Sequence, residues 1–285
     1  MRKIVITSDS TCDLEKEILE QYDIKIVPLY INVDGVEYKD GIDITTPEMY
    51  KLVDEKKSIP KTAATSVGDF INFFTPYYEE GYDIIYTGIS STMSVTYNNA
   101  LTAASMIDEE GDRIFVVDSG NLSTGIGLLL LKACKAKEEG KSAKEIKELM
   151  ESLVPKVRSQ FVVETLDYLH KGGRCSGVVK FIGNILKLRI QIEVFEKSMR
   201  VAKKTIGAMK KALSQMVHDY LDKFNKMDDE FVFVTHSEAY DSKDFILNLL
   251  APVKEKIKNL FITRAGCVIS SHCGQGCIGI LYIEK

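Results

Sequence analysis

Apolar residues in the first half of the chain fall into short β-branched runs. Each run is followed by a polar turn and then by apolar positions at helical spacing. Residues 3–7 form one such run, with the turn Ser8-Asp9-Ser10-Thr11-Cys12-Asp13 after it and helical periodicity over 14–22. Residues 24–33 read as one extended stretch closed by the hairpin signal Asp34-Gly35. A strand at 83–88 leads through Ser90-Ser91-Thr92-Met93-Ser94 into a helix at 95–106. Residues 113–117 repeat the pattern through Asp118-Ser119-Gly120-Asn121 into a helix reaching 139, and 143–153 begins another. Strands that alternate with helices predict parallel β-α units and a sheet covered on both faces.

Pro155 interrupts helix continuity and is read as the boundary between two domains, 1–155 and 156–285. Beyond it the pattern predicts a strand at 161–165, a short helix at 166–170 and a sharp turn at Gly172-Gly173. Residues 181–186 and 190–195 are strongly apolar. A long helix at 208–224, a strand at 231–235, a helix at 243–258 and short strands at 260–264, 267–271 and 278–284 complete a mixed-sheet α/β region.

Composition narrows the function classes more than the fold. With 285 residues, 45% hydrophobic and 27% charged, the chain is an ordinary globular protein large enough for two domains. Thirty-seven basic against 41 acidic residues give a net charge of −4, without the basic stripe of a nucleic-acid binder. The densest basic stretch, Lys203, Lys204, Lys210 and Lys211, is expected to be a solvated helix face. The longest apolar run, 126–131, is far below the roughly 20 residues of a membrane-crossing helix. The N-terminus lacks a secretory apolar segment, so the expected location is cytoplasmic. The six cysteines are expected to be reduced and buried. Cys267, Cys273 and Cys277 with His272 match no zinc spacing, and no metal is expected.

Three strand-to-helix turns are dense in hydroxyls, and in a parallel sheet such turns collect at the carboxyl edge, where ligands bind. Free N–H groups at helix starts, with Ser and Thr hydroxyls, suit an anionic oxygen group; the same residues also serve as helix caps. The turns hold Asp9, Asp13 and Asp118 but no Lys or Arg, which favours a small singly charged head group such as a carboxylate over polyphosphate. Gly140-Lys141-Ser142 lacks the upstream glycine of a phosphate loop, and Gly274-Gln275-Gly276-Cys277-Ile278-Gly279 leads into a strand rather than a helix. His272 beside that glycine turn and Arg174 after Gly172-Gly173 are candidate anion partners, with a core or surface role as the alternative for each. An enzymatic alternative is an acyl hydrolase or acyltransferase using Ser94 or Cys273 with His272, although no G-x-S-x-G elbow is present.

These residues form an ordered set. Ile6-Thr7-Ser8-Asp9-Ser10-Thr11-Cys12-Asp13-Leu14 resembles the opening motif of the DegV family of bacterial fatty-acid-binding proteins. The segment from Pro60-Lys61-Thr62 to Gly68-Asp69-Phe70 is similar to that family's PKTSQPS-type segment, and Ser90-Ser91-Thr92-Met93-Ser94-Val95-Thr96-Tyr97 to its SSxLSGTY motif. Leu166-Asp167-Tyr168-Leu169-His170-Lys171-Gly172-Gly173-Arg174 resembles LxYLxxGGR, and Ser271-His272-Cys273-Gly274-Gln275-Gly276 resembles its HxGPG turn.

The resemblance implies an α/β protein whose N-terminal domain is a three-layer α/β/α unit with a parallel sheet. The C-terminal domain would be a two-layer α/β unit with a mixed sheet. It implies a bound long-chain, palmitate-like fatty acid, with its carboxylate at the domain interface near Thr62 and Ser94 and with His272 and Arg174 in the surrounding polar network. The apolar tunnel is expected in the 181–195 region, with Phe181, Ile182, Ile185, Leu186, Ile190 and Ile192 as candidate lining. It further implies a non-catalytic carrier that presents the acid to a separate fatty acid kinase, with no cofactor, nucleic acid or membrane segment. Ala63, Ala64 and Thr65 depart from the family pattern, as does Gln275 where proline is usual. Val95 stands where glycine is usual, which predicts an altered turn at Ser94, and Lys204 is only an approximate counterpart of a kinase-docking basic residue.

Overall fold

A computed structural model describes residues 2–175 and 188–285. In the first half the elements run β1 (Ile4–Asp9), α1 (Lys16–Gln21), β2 (Ile24–Val27), β3 (Tyr30–Val33), β4 (Val36–Lys39), α2 (Thr46–Lys56) and β5 (Lys61–Ala63). They continue with α3 (Val67–Glu79), β6 (Asp83–Gly88), α4 (Thr96–Ile107), β7 (Ile114–Asp118), α5 (Thr124–Glu138) and α6 (Ala143–Leu153). The second half holds β8 (Val157–Val163), α7 (Asp167–Gly172), β9 (Leu188–Phe195), β10 (Ser198–Ile206) and α8 (Met209–Asp222). It closes with β11 (Phe231–His236), α9 (Tyr240–Leu250), β12 (Asn259–Arg264), α10 (Cys267–Cys273) and β13 (Ile278–Ile283).

The first sheet has the order β2-β1-β6-β7 and is parallel throughout. Its strands alternate between two apolar layers, as a period of two requires. Ile4, Ile6 and Ile85 pack with α5 and α6, whereas Val5, Ile84 and Tyr86 pack with Phe70 and Phe74 of α3 and with Ala100 and Ala103 of α4. The second sheet, β10-β9-β8-β13-β11-β12, is mixed, with β11 and β12 its parallel pair. Val232 and Val234 face α8 and α9, while Phe231 and Phe233 face α5. The fold is therefore α/β, with a parallel three-layer unit and a mixed-sheet unit, as the resemblance implies.

Helix α5 lies between the two sheets, and eleven of its fifteen residues are buried. This accounts for the apolar run that the sequence shows at 126–131: a helix packed on both sides has no polar face to present. A small antiparallel sheet, β4-β3-β5, lies beside α2 and α10 and carries Thr62 on its short edge strand. Its β3–β4 turn has φ of 53° at Asp34 and 85° at Gly35, the paired positive values of a two-residue hairpin.

Four expectations need correction. Residues 24–33 form two strands rather than one, because the chain breaks at Pro28-Leu29 and passes to a different sheet. Residues 267–271 belong to helix α10 rather than a strand. Lys203 and Lys204 lie on β10, so they share no helix face with Lys210 and Lys211 of α8. Helix α9 ends at Leu250, shortly before Pro252. Helices α2 and α3 lie outside the elements that periodicity predicts, yet both carry capping boxes, Thr45 with Glu48 and Ser66 with Asp69, that are legible as sequence signals. No helix among the described residues is long and apolar enough to cross a membrane.

Candidate functional site

Three aspartates, Asp9 and Asp13 at and after the end of the first strand and Asp40 after β4, tie together the loops beside the site. Asp9, at the end of β1, accepts from the N–H groups of Thr11 and Ile89 at 3.0 Å each and from the Tyr86 hydroxyl at 2.9 Å, which ties two loops together. Asp13 accepts from the Ser123 hydroxyl at 2.5 Å and from the Gly266 N–H at 2.8 Å. Asp40 accepts from the N–H groups of Cys267 and Val268 at 2.8 and 3.4 Å. Asp13 and Asp40 thus cap the start of α10 from the far side of the chain, which fixes a short helix whose sequence reads as β-branched. Burial pushes all three carboxyls up from their ordinary range.

Around these anchors lies a cavity of about 360 Å³. Its apolar wall comes from both sheets and their loops, including Ile89, Met93, Leu122, Phe161, Met199 and Leu281. Of the three hydroxyl-rich turns only two reach it. The hydroxyls of the first turn are taken up elsewhere: Ser8 donates to the Thr87 carbonyl at 2.7 Å, Ser10 accepts the Leu29 N–H at 3.1 Å, and Thr11 bonds Asp9. The second contributes the residues from Ser91 to Val95, and the third contributes Leu122 and Ser123 just beyond the predicted turn. Ser123 holds φ 53° and ψ −146°, a backbone state rare for any residue with a side chain, and its bond to Asp13 keeps it there.

Thr62, Ser94, His272 and Arg174 all line this one cavity. Nε2 of His272 lies 3.0 Å from Thr62 Oγ1, and Nδ1 is buried with no hydrogen-bond partner. Burial, with the neighbouring Arg174 charge, pushes the imidazole down to about 4, so the ring is neutral near pH 7. A neutral ring with its proton on Nε2 donates to Thr62 and leaves the Thr62 hydroxyl free to donate to an anion. Ser94 Oγ lies 2.8 Å from Thr96 Oγ1 and accepts from the Thr96 N–H at 3.2 Å at the start of α4. Arg174 is exposed, and its Nη1 donates to the Gly172 carbonyl at 2.8 Å.

Val95 takes φ −75° and ψ −5°, an ordinary helical conformation, so a side chain there brings no backbone strain. It stands 60% exposed beside Ser94, at the rim. Ile190 and Ile192 of β9 are fully buried in one apolar cluster with Phe161, yet neither lines the cavity. Phe181, Ile182, Ile185 and Leu186 lie outside the described residues. Met199 on β10 and Phe161 on β8 were missed as wall residues; β-strand alternation around each is the signal that would have found them.

The tip of the β9–β10 hairpin closes over the second turn. The Lys197 carbonyl accepts from Ser90 Oγ at 2.7 Å and from Thr92 Oγ1, and Lys197 Nζ reaches Asp118 at 2.9 Å. Cys273 and Cys277 sit in the wall, and their mutual contact with burial pushes the Cys273 thiol well up. Among the described residues no group of His, Cys, Asp and Glu is arranged to hold a metal ion.

A family model described as "Uncharacterised protein, DegV family" matches residues 3–285. The chain belongs to the DegV family. A DegV domain-containing protein of Clostridium acetobutylicum is 37% identical over 286 residues, covering all of both chains. Among solved structures, a DegV family protein from Thermus thermophilus, described for its fatty acid binding, superposes with a TM-score of 0.90 at 27% identity over the whole of both chains. A stearic-acid-binding protein from Eubacterium ventriosum superposes with a TM-score of 0.83 at 30% identity over 98% of each chain. Both of these structures are described as fatty-acid binders, and the likeness covers nearly the whole of each chain.

Proposed function

We propose that this DegV chain binds a long-chain fatty acid, carboxylate toward Thr62, Ser94, His272 and Arg174 and acyl chain along the apolar wall, and presents it to a separate fatty acid kinase. The observation that carries this reading is the convergence of those four side chains on a single apolar cavity whose donors among the described residues, apart from Arg174, are uncharged. The volume of about 360 Å³ falls in the range of small-molecule sites, roughly 300–1,000 Å³. Burial of each methylene stabilises the complex by about 0.8 kcal/mol, so the chain supplies affinity while neutral donors fix the head group. Two domains, 1–155 and 156–285, would each contribute part of the wall. Presentation to a kinase is supported by the exposed rim at Arg174 and Val95, which leaves the acid end within reach of a second protein.

The geometry favours a carrier over a hydrolase or acyltransferase. A nucleophile needs a base within hydrogen-bond reach. Here the partner of His272 is Thr62, Ser94 is bonded to Thr96, and the Cys273 thiol is pushed up, away from the reactive thiolate.

Mass spectrometry of the purified, denatured protein, followed by titration with palmitate and stearate, tests the reading. Thr62→Ala and Ser94→Ala are each expected to weaken binding about 10- to 100-fold, the loss of a hydrogen bond to a charged group worth roughly 1.5–3 kcal/mol. No recovered acyl chain together with no binding of added acid overturns the proposal, and unchanged affinity in both variants overturns the head-group assignment. Acyl phosphate formation with ATP and a purified fatty acid kinase, dependent on this protein, is the expected result for presentation.

A further inference from the structure

The C-terminal end of α10 packs along α7, so that Gly172 at the end of α7 lies against the His272 ring and Gly274, just past α10, lies against the Tyr168 ring in the first turn of α7. A Cβ built on Gly172 would lie 2.4 Å from Nδ1 of His272, and a Cβ on Gly274 would lie 2.8 Å from Cδ2 of Tyr168. The two glycines answer to different demands. Gly274 has φ 78°, which by itself selects glycine. Gly172 is the last residue of α7 and helical, a position where alanine is the better residue. Its helical backbone gives no reason for glycine, but the imidazole lying against it does.

We propose that Gly172 is a positioning residue of the carboxylate site. The missing side chain lets the His272 ring lie against α7, with Nε2 turned to Thr62. The Gly172 carbonyl holds Arg174 Nη1 at 2.8 Å, so one residue sets the place of both polar groups. A methyl group at Gly172 pushes the ring out of this seat, breaks its bond to Thr62 and exposes it to water. The consequence for ligand binding rests on the fatty-acid reading; the consequence for the ring does not.

Wild type, Gly172→Ala, His272→Ala and the double variant form a cycle. Its readouts are the thermal midpoint, the stearate dissociation constant and, in the two proteins that keep His272, the titration of its imidazole by NMR. Gly172→Ala is expected to weaken stearate binding about tenfold, the loss of one hydrogen bond, and to lower the thermal midpoint. It is also expected to raise the imidazole titration from about 4 toward 6.5. With His272→Ala already in place, the same substitution should leave affinity unchanged and raise the midpoint, because only the helix preference remains. Gly173→Ala is the control: φ is 69° there with nothing within 4 Å, so it should lower the midpoint without moving the His272 titration. An unmoved titration in Gly172→Ala, or equal effects of that substitution in both backgrounds, overturns the proposal. If His272→Ala itself leaves stearate affinity intact, the head-group role of His272 falls, and the titration and the sign of the midpoint change still decide whether Gly172 seats the ring.

Discussion

The neutral imidazole of His272 makes the stability of the protein depend on pH in a way that one substitution should remove. In the folded chain the ring titrates at about 4 rather than 6.5, because it is largely buried and faces Arg174. Protonation would place a second N–H on Nδ1, which has no acceptor. The folded state therefore binds fewer protons than the unfolded state between these two values, so the contribution is complete above pH 6.5 and is lost as pH falls toward 4. The difference from 6.5 to about 4 corresponds to about 3 kcal/mol, most of it gone at pH 4.5. Asp9, Asp13 and Asp40 act in the opposite direction: their raised pKa values favour the folded state on acidification, so the net profile of the wild type mixes both. The clean measurement is a difference. Urea unfolding of wild type and His272→Gln at pH 7.5, 6.0 and 4.5 should show the wild type losing about 2–3 kcal/mol relative to the variant over that range. Gln keeps a neutral polar group near Thr62 without the titration. A bound fatty-acid anion favours the imidazolium, so saturating stearate should shrink the loss. A difference between the two proteins that stays flat with pH refutes the argument.

Two further substitutions test the framework that holds the site. Leu130 is fully buried in α5 between the sheets, so Leu130→Ala should cost about 3–5 kcal/mol in urea unfolding; a loss below about 1 kcal/mol would mean that the helix is not packed on both sides. A Cβ at Gly88 would lie 2.1 Å from Asp9 Oδ2 and 2.4 Å from the Tyr86 hydroxyl. Gly88→Ala should therefore break the Asp9 hub, lower the thermal midpoint by several degrees or more and loosen fatty-acid retention through Ile89; unchanged stability would contradict the hub.

Much of this architecture is legible in the chain because local signals agree with the final packing. The strand at Asp83–Gly88 and the helix at Ala143–Leu153 stand where the pattern places them, the latter with Ser142 and Glu145 forming a capping box. Helix α10 departs from the extended pattern of its sequence for a physical reason. Cys267-Val268-Ile269 looks extended, and the groups that cap its start, Asp13 and Asp40, are more than 220 residues away in sequence. Tertiary capping of this kind leaves no trace in a local window. Thr62 is a similar case: on a three-residue edge strand its role is visible only through the family motif and the 3.0 Å contact with His272.

Asp9, Asp13 and Asp40 bear on the choice that the hydroxyl-rich turns leave open, between capping helices and receiving an anion. A fatty acid would gain nothing from a cavity ringed by unpaired carboxylates, since like charges repel across a poorly solvated site. Here each aspartate is turned onto backbone N–H groups: Asp9 onto Thr11 and Ile89, Asp13 onto Gly266, Asp40 onto Cys267 and Val268. Burial further disfavours their charged form. Capping and the proposed anion binding are thus divided between residues. The acidic side chains fix the loops and α10, and the neutral Ser and Thr hydroxyls, with His272 behind Thr62, face the cavity. The same division is compatible with the proposed acidic ligand despite the chain's net negative charge: the carboxyls near the site hold the fold together, and among the described lining residues Arg174 alone carries a full charge, a positive one.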